Sequence, residues 1–438
     1  MRTIDWQALD TAGRTAALAR PAPVRDTVLI ADVREILQRV RTEGDAALRD
    51  LTRRLDGADL NRFEVDAAQI DAAEAGVDPA VRAAMERAID RVRRFHAPQV
   101  PQRLRVRTEP GVQCEYLVRP IRRVGLYAPA GSAPLPSTVW MLAVPAKLAG
   151  CPEVVLCTPP GRDGRVDPLV LLAARLCGVD RVFALGGAQA IAAMAYGTAQ
   201  VPRCDKLFGP GNAWVTQAKL EVAGDPAGAA IDMPAGPSEV MVIADDSADP
   251  VLVAADLLAQ AEHGADSQVV LLSPDAALIE AVQAQCRAQA ASLPRADIAA
   301  AALAHARFIR VADLEQAAQV AEDYAPEHLI VQTRSPRALL PRIHSAGSVF
   351  LGPWSPETVG DYCAGPNHVL PTLGFARAWS GVGVASFVRR MSVLELSADG
   401  LARIGPDAAV LARAERLEAH ARAVDLRLAR DGQGSAAA

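Results

Sequence analysis

The chain has 438 residues, half of them apolar and 22% charged, with a net charge of −5. That near balance, together with only 4% aromatic residues, excludes the basic stripe of a duplex binder and the stacking platform of a single-strand binder. At roughly 150 residues per domain, the length predicts two or three domains with substantial cores.

The first residues, Met1 to Trp6, contain no apolar signal core. The longest uncharged stretch, 182–202, is interrupted by Gly186, Gly187, Gln189, Gly197 and Gln200. No secretory signal and no membrane span are expected, which predicts a soluble cytoplasmic enzyme. Seven cysteines without regular spacing do not read as a disulfide framework.

Apolar residues at three-and-four spacing predict helices over 33–55 and 79–95. A partly extended segment, 104–127, follows, with a turn at Pro110-Gly111. From there helices (137–148, 168–177, 189–196) alternate with short apolar strands (153–158, 181–185), the pattern of a parallel α/β sheet. A second alternating block opens with a strand at 239–245. Asp249 is the expected N-cap and Pro250 the first residue of a helix reaching His263, which Gly264 would end. Strands at 268–273, 307–311, 328–332 and 348–352 follow, with helices from near Asp275 and over 314–324. The runs VVLCTP (154–159) and VVLLSP (269–274) match closely and hint at two related units. Residues 352–383 are rich in Gly and Pro, and a loop that long is usually functional. The tail, 406–430, reads as one amphipathic helix with a seam of Val410, Ala414, Leu417, Ala421, Val424 and Leu428.

Gln260 and His263, three residues apart at a helix end, should share one face, but alone they make half a site. Glu327-His328 sits between a helix-ending Pro and the apolar run LIV, where charge is costly unless solvated, paired or used. An exposed turn is the competing reading. Asp361 and His368 lie in the Gly/Pro-rich stretch. Glu415 and His420, five apart, point about 140° from each other around a helix and cannot chelate as a local pair. His96, His305 and His344 read as packing or surface residues. Two glycine turns, Gly186-Gly187-Ala188-Gln189 and Phe208-Gly-Pro-Gly-Asn212, fall between strand and helix, where a phosphate or ribose is commonly met. Neither fits G-x-G-x-x-G, and the glycines at 381 and 383 lack both flanking elements.

The ordered motifs VGLYAPAGSAPLPST (124–138), ALGGAQAIAAMAYGT (184–198), FGPGNAWVTQAK (208–219), DMPAGPSE (232–239), DLLAQAEHGADSQ (256–268), DYAPEHL (323–329), GDYCAGPNHVLPT (360–372) and AERLEAHARAV (414–424) together resemble the histidinol dehydrogenase family. The likeness covers essentially the whole chain and is strongest from about Val124. It implies two related Rossmann-like α/β domains, a helical N-terminal segment and a C-terminal helical tail that swaps in a homodimer. The corresponding segments are 1–123, 124–235 on the NAD side, 236–380 on the zinc and substrate side, and 381–438. By the same resemblance, Gln260, His263, Asp361 and His420 hold one zinc ion per subunit. Ser238, His328, His368 and Glu415 contact substrate alongside those ligands. Tyr127, Gln189 and Asn212 contact NAD+, and Glu327 with His328 is the catalytic pair. The implied reaction is the four-electron oxidation of L-histidinol through L-histidinaldehyde to L-histidine. Two other readings compete: an enzyme for another small polar alcohol, and a non-catalytic zinc module. Retention of His368 and Glu415 speaks against the first, and Glu327-His328 beside the cofactor positions against the second.

Overall fold

In the computed structural model of the chain, residues 1–20, 27–130 and 134–434 are described, with side chains through 430. Residues 131–133, inside the first of the quoted motifs, lie outside the described residues. The chain divides into two units: residues 1–99 with 121–387, and residues 100–120 with 388–438.

The first unit carries two all-parallel sheets. One has the order Arg181–Ala184, Glu153–Thr158, Arg123–Tyr127, Lys206–Phe208, Ala230–Ile231. Numbered along the chain its strands run 3-2-1-4-5, the order of doubly wound nucleotide folds. The other has the order Arg2–Asp5, Arg307–Arg310, Gln268–Ser273, Glu239–Ala244, His328–Gln332, Ser348–Leu351. Apart from its first edge strand, it repeats 3-2-1-4-5. The two matching runs of the sequence fall on the second strand of each sheet, so the similarity is topological as well as local.

The strands form because their apolar runs are buried on both faces, as a parallel sheet covered by helices requires. All six residues of Glu239–Ala244 are buried. Val240 and Val242 enter one core cluster, Met241 and Ile243 another, the period-two alternation of a strand between two helical layers. Each large side chain so buried contributes about 1.5–3 kcal/mol relative to exposure. Aspartates start the covering helices: Asp167, Asp249, Asp275 and Asp313 each accept backbone N–H bonds two or three residues on. Such caps stabilise a helix by about 1 kcal/mol.

The first long helix departs from the expectation. It runs Thr27–Glu43, breaks at Gly44 (φ +60°), resumes over Asp45–Leu51 and ends in a wider turn, Thr52–Asp56. A residue held at positive φ cannot continue a right-handed helix, and glycine takes that conformation without strain.

The second unit pairs Leu104–Glu109, Val112–Pro120 and Val388–Leu396 in an antiparallel sheet, with the expected turn at Pro110-Gly111. The tail is two helices rather than one, Ala398–Ala414 and Glu418–Gly434. Arg416 adopts φ +63° and its N–H donates to the Arg413 carbonyl, which closes the first helix. The seam is therefore folded on itself: a Cβ on Gly405 would meet Val424 at 2.9 Å and Leu428 at 3.5 Å. Ala421 is buried, whereas Val410 and Leu417 remain exposed. No helix among the described residues is long and apolar enough to cross a membrane.

Candidate active site

The site gathers at the starts of two adjacent strands of the six-stranded sheet, Glu239–Ala244 and His328–Gln332. Helix Leu314–Tyr324 ends at Ala325 in the left-handed region. The chain thereby re-enters the sheet with Glu327 and His328 turned inward, 5% and 3% exposed. An exposed turn tip is thus ruled out. The backbone N–H of Glu239 donates to Glu327 Oε2 (2.8 Å), and His328 Nδ1 faces the Glu239 carbonyl at 3.1 Å. A carbonyl only accepts, so Nδ1 carries a proton and Nε2 is the ring atom free to exchange one.

Three carboxylates surround that imidazole. Nδ1 lies 3.6 Å from Glu327 Oε2 and 3.6 Å from Glu357 Oε1, and Nε2 lies 3.5 Å from Asp361 Oδ1. Burial alone would lower the His328 pKa, but Glu357, Glu327 and Asp361 outweigh it and raise it well above its ordinary value. Burial pushes the Glu327 carboxyl up to about 8 against the pull of His328. Glu357 also moves up, chiefly by burial. Asp361 moves down: burial opposes ionisation there, but its hydrogen bond to His328 and the positive field of the imidazoles prevail. One carboxylate therefore holds the negative charge while two buried neighbours retain protons near neutrality, as like charges in one pocket require.

Asp361 reaches this place from the turn Gly360–Ala364. Gly360 is required by close approach, since a Cβ there would sit 2.4 Å from the Phe350 ring. The Asp361 carbonyl meets His368 Nδ1 at 2.8 Å, and His368 Nε2 lies 3.5 Å from Thr138 Oγ1. Burial lowers the His368 pKa.

Helix Pro250–Ala261 ends two residues before His263, not at it as the sequence suggested. Gln260 thus occupies the last helical turn, fully buried, while His263 follows in an exposed turn. The surrounding chain still desolvates His263 enough to push its pKa down, and the charge of Asp361 acts on it from across the site. Both amide atoms of Gln260, Nε2 and Oε1, are buried without a partner. An amide hidden with neither its donor nor its acceptor satisfied costs stability unless a ligand completes it. Among the described residues, His328, Glu357 and Asp361 form the cluster of His, Cys, Asp or Glu whose ligand atoms all lie within 4.8 Å of one another. The donor set, an amide oxygen, imidazoles and a charged carboxylate, suits a zinc-type ion.

Ser238 is half-buried just before Glu239, its carbonyl accepting from Gln268 N. Glu415 and His420 belong to the second unit, where both are exposed. Glu357 escaped the sequence reading. Its signal was there: it stands four residues before Asp361, a helical spacing that puts two acids on one face.

The three positions assigned to the nucleotide border the other sheet. Tyr127 ends strand Arg123–Tyr127 and is buried, its hydroxyl oxygen accepting the Gly187 N–H at 3.0 Å. Gln189 lies in the first turn of helix Gly187–Tyr196. Asn212, exposed, caps helix Ala213–Gly224 by accepting from Val215 N. The turn before it is fixed from beneath by Lys219, which donates to the Gly209 carbonyl and pairs with the buried Asp232.

A model of the histidinol dehydrogenase family matches residues 20–428. The chain is 60% identical over 428 residues to a histidinol dehydrogenase of Xanthomonas oryzae pv. oryzae, covering 98% of this chain and 99% of that protein. It is 51% identical over 428 residues to one of Vibrio parahaemolyticus, covering 98% of each. The crystal structure of histidinol dehydrogenase from Elizabethkingia anophelis superposes with a TM-score of 0.93 at 41% identity, covering 99% of both chains. Fold, buried acid–imidazole pair and relatives together define an α/β oxidoreductase. More particularly, the chain belongs to the histidinol dehydrogenase family.

Proposed function

We propose that this enzyme catalyses the last step of histidine biosynthesis, oxidising L-histidinol to L-histidine with two NAD+ and one zinc ion per subunit. The observation that carries the reading is the pair Glu327-His328, buried at a strand start beside a charged Asp361 and an unpartnered Gln260. Segment 124–235 is the NAD side and 236–380 the zinc and substrate side.

Gln260, His263 and Asp361 are the ligands from this chain, with the partner subunit's His420 as the fourth. Zinc, when bound, supplies an anchor for the amine and imidazole of the substrate, and NAD+ the hydride acceptor. His328 is fixed by the Glu239 carbonyl so that Nε2 of the neutral ring, the form its raised pKa makes scarcer, takes the hydroxyl proton of the alcohol. His368, held by the Asp361 backbone, and Ser238 orient the substrate. Glu327, in its ionised form, which burial makes available only as pH rises towards about 8, accepts a proton from the water that hydrates the aldehyde. Loss of the second hydride from that hydrate gives the acid.

The direct test is NADH released per L-histidinol by the zinc-loaded protein. About two supports the reading, one indicates a simple alcohol dehydrogenase, and none with intact zinc indicates a binding module.

A cytoplasmic homodimer completes the proposal, with the tail carrying Glu415 and His420 into the neighbouring site. The exposed seam residues Val410 and Leu417 support it. Mixing inactive His328→Asn and His420→Ala protomers under proven subunit exchange should restore roughly a quarter of wild-type activity by twofold symmetry. No recovery would mean that each site is built from one chain.

A further inference from the structure

Asp56 lies outside every sequence motif of the family resemblance, yet the fold delivers it to the glycine turn beside Gln189. It closes the turn Thr52–Asp56, and Gln189 Nε2 donates to its Oδ2 at 3.1 Å, across 133 residues of sequence. A carboxylate oxygen here can only accept, so the bond fixes which way the Gln189 amide faces. The amide oxygen, Oε1, is then left buried without a partner on a side chain that is 1% exposed. It lies against the next glycine, 2.7 Å from where a Cβ on Gly187 would stand. Asp56 Oδ1 lies 3.0 Å from the Cβ position of Gly186.

The chemistry of this turn is unlike that of a phosphate cradle. The Gly187 N–H, which a phosphate would want, is already taken by the Tyr127 hydroxyl oxygen. What the turn offers is two acceptors, one of them a carboxylate, packed against consecutive glycines whose Cβ positions Pro159, Asp56 and Gln189 crowd. Two acceptors ask for two donors, and a vicinal diol supplies them. A phosphate monoester in the same place would bring like charge against Asp56.

Resting on the NAD+ reading above, we propose that Asp56 and the Gln189 amide it orients accept hydroxyls of a nucleotide ribose. Asp56 thereby selects NAD+ over NADP+. Asp56 is in part a positioning residue, acting through Gln189, and in part an electrostatic filter, the role an acidic residue plays beside the ribose of other dinucleotide folds.

The test is calorimetric binding of NAD+ and of NADP+ to the zinc-loaded, full-length protein. Wild type should prefer NAD+. Asp56→Asn keeps an acceptor for Gln189 but loses the charge. It should bind NADP+ about tenfold more tightly while NAD+ affinity stays within about threefold. Asp56→Ala should weaken NAD+ about tenfold, the scale of one charge-assisted hydrogen bond. In the Gln189→Ala background that further loss should shrink to less than about threefold, because the two residues act as one unit. A merely structural Asp56 would lower the melting temperature without changing the nucleotide ratio. Unchanged affinities for both nucleotides in Asp56→Asn and Asp56→Ala, with wild type binding NAD+, would overturn the inference and leave the NAD+ reading standing. Failure of wild type to bind NAD+ would remove both.

Discussion

The two parallel sheets share a strand order and work from opposite ends. In the five-stranded sheet, Tyr127 ends a strand and Gln189 and Asn212 follow strand C-termini, where open α/β sheets usually bind ligands. In the six-stranded sheet, Glu239 and His328 are strand starts. Its C-terminal crevice is filled by Asp245, whose carboxylate accepts from Ser247 and from Arg334 N while its N–H donates to Gln332. Strand order therefore does not decide which end is functional; what the helices present there does. Strand C-termini face helix N-termini, with their unpaired N–H groups and partial positive charge. Strand N-termini face helix C-termini, here the end of Pro250–Ala261 with Gln260, where partial negative charge and added carboxylates suit a cation.

If the ends are separate, damage to one should spare the other. His328→Asn should lower turnover by about a thousandfold, the contribution of a general base, while NAD+ affinity by calorimetry stays within twofold. A parallel loss of NAD+ affinity would break the separation. Within the six-stranded end, Glu327→Gln should slow oxidation of supplied histidinaldehyde about a hundredfold and the first hydride transfer much less. Equal losses in single turnovers would remove Glu327 as the residue that activates water.

The smallest effect sharpens the other end. Burial raises the Asp56 carboxyl to about 6 from 3.8, its hydrogen bond to Gln189 opposing. A raised folded pKa means that the protonated form favours folding. This contribution is full below pH 3.8 and lost as pH rises through about 6. Asp56→Asn, neutral throughout, should melt about 1–2 °C above wild type at pH 7 without nucleotide, and the gap should close toward pH 4. A gap independent of pH would mean that burial of Asp56 carries no electrostatic cost.

Much of this fold was legible because its signals are local: short apolar runs, aspartate caps, prolines at helix starts. Helix Leu314–Tyr324 and strand His328–Gln332 appear as expected. The breaks were less visible. Nothing in Glu415-Arg416-Leu417 announces a positive φ, since neither Gly nor Pro marks it, and so the tail read as one helix. At the site, Gln260, His263, Asp361 and His368 were readable as fragments, and only the resemblance joined them. Asp56 and Glu357 were missed. Asp56 acts across 133 residues, and the four-residue spacing of Glu357 to Asp361 lies in a Gly/Pro-rich stretch where no helix was expected.

The edge strand Arg2–Asp5 has a consequence in time. Its neighbour in the sheet among the described residues, Arg307–Arg310, is made 305 residues later, Arg2 lying opposite Arg307. At about 5–20 residues per second, the unpaired strand waits on the order of 15–60 s for its partner. Arg20, which grips the Glu239 carboxylate through two nitrogens, waits 219 residues for it. During synthesis the five-stranded sheet can be complete while the sheet bearing His328 still has an open edge, exposed to any strand that passes.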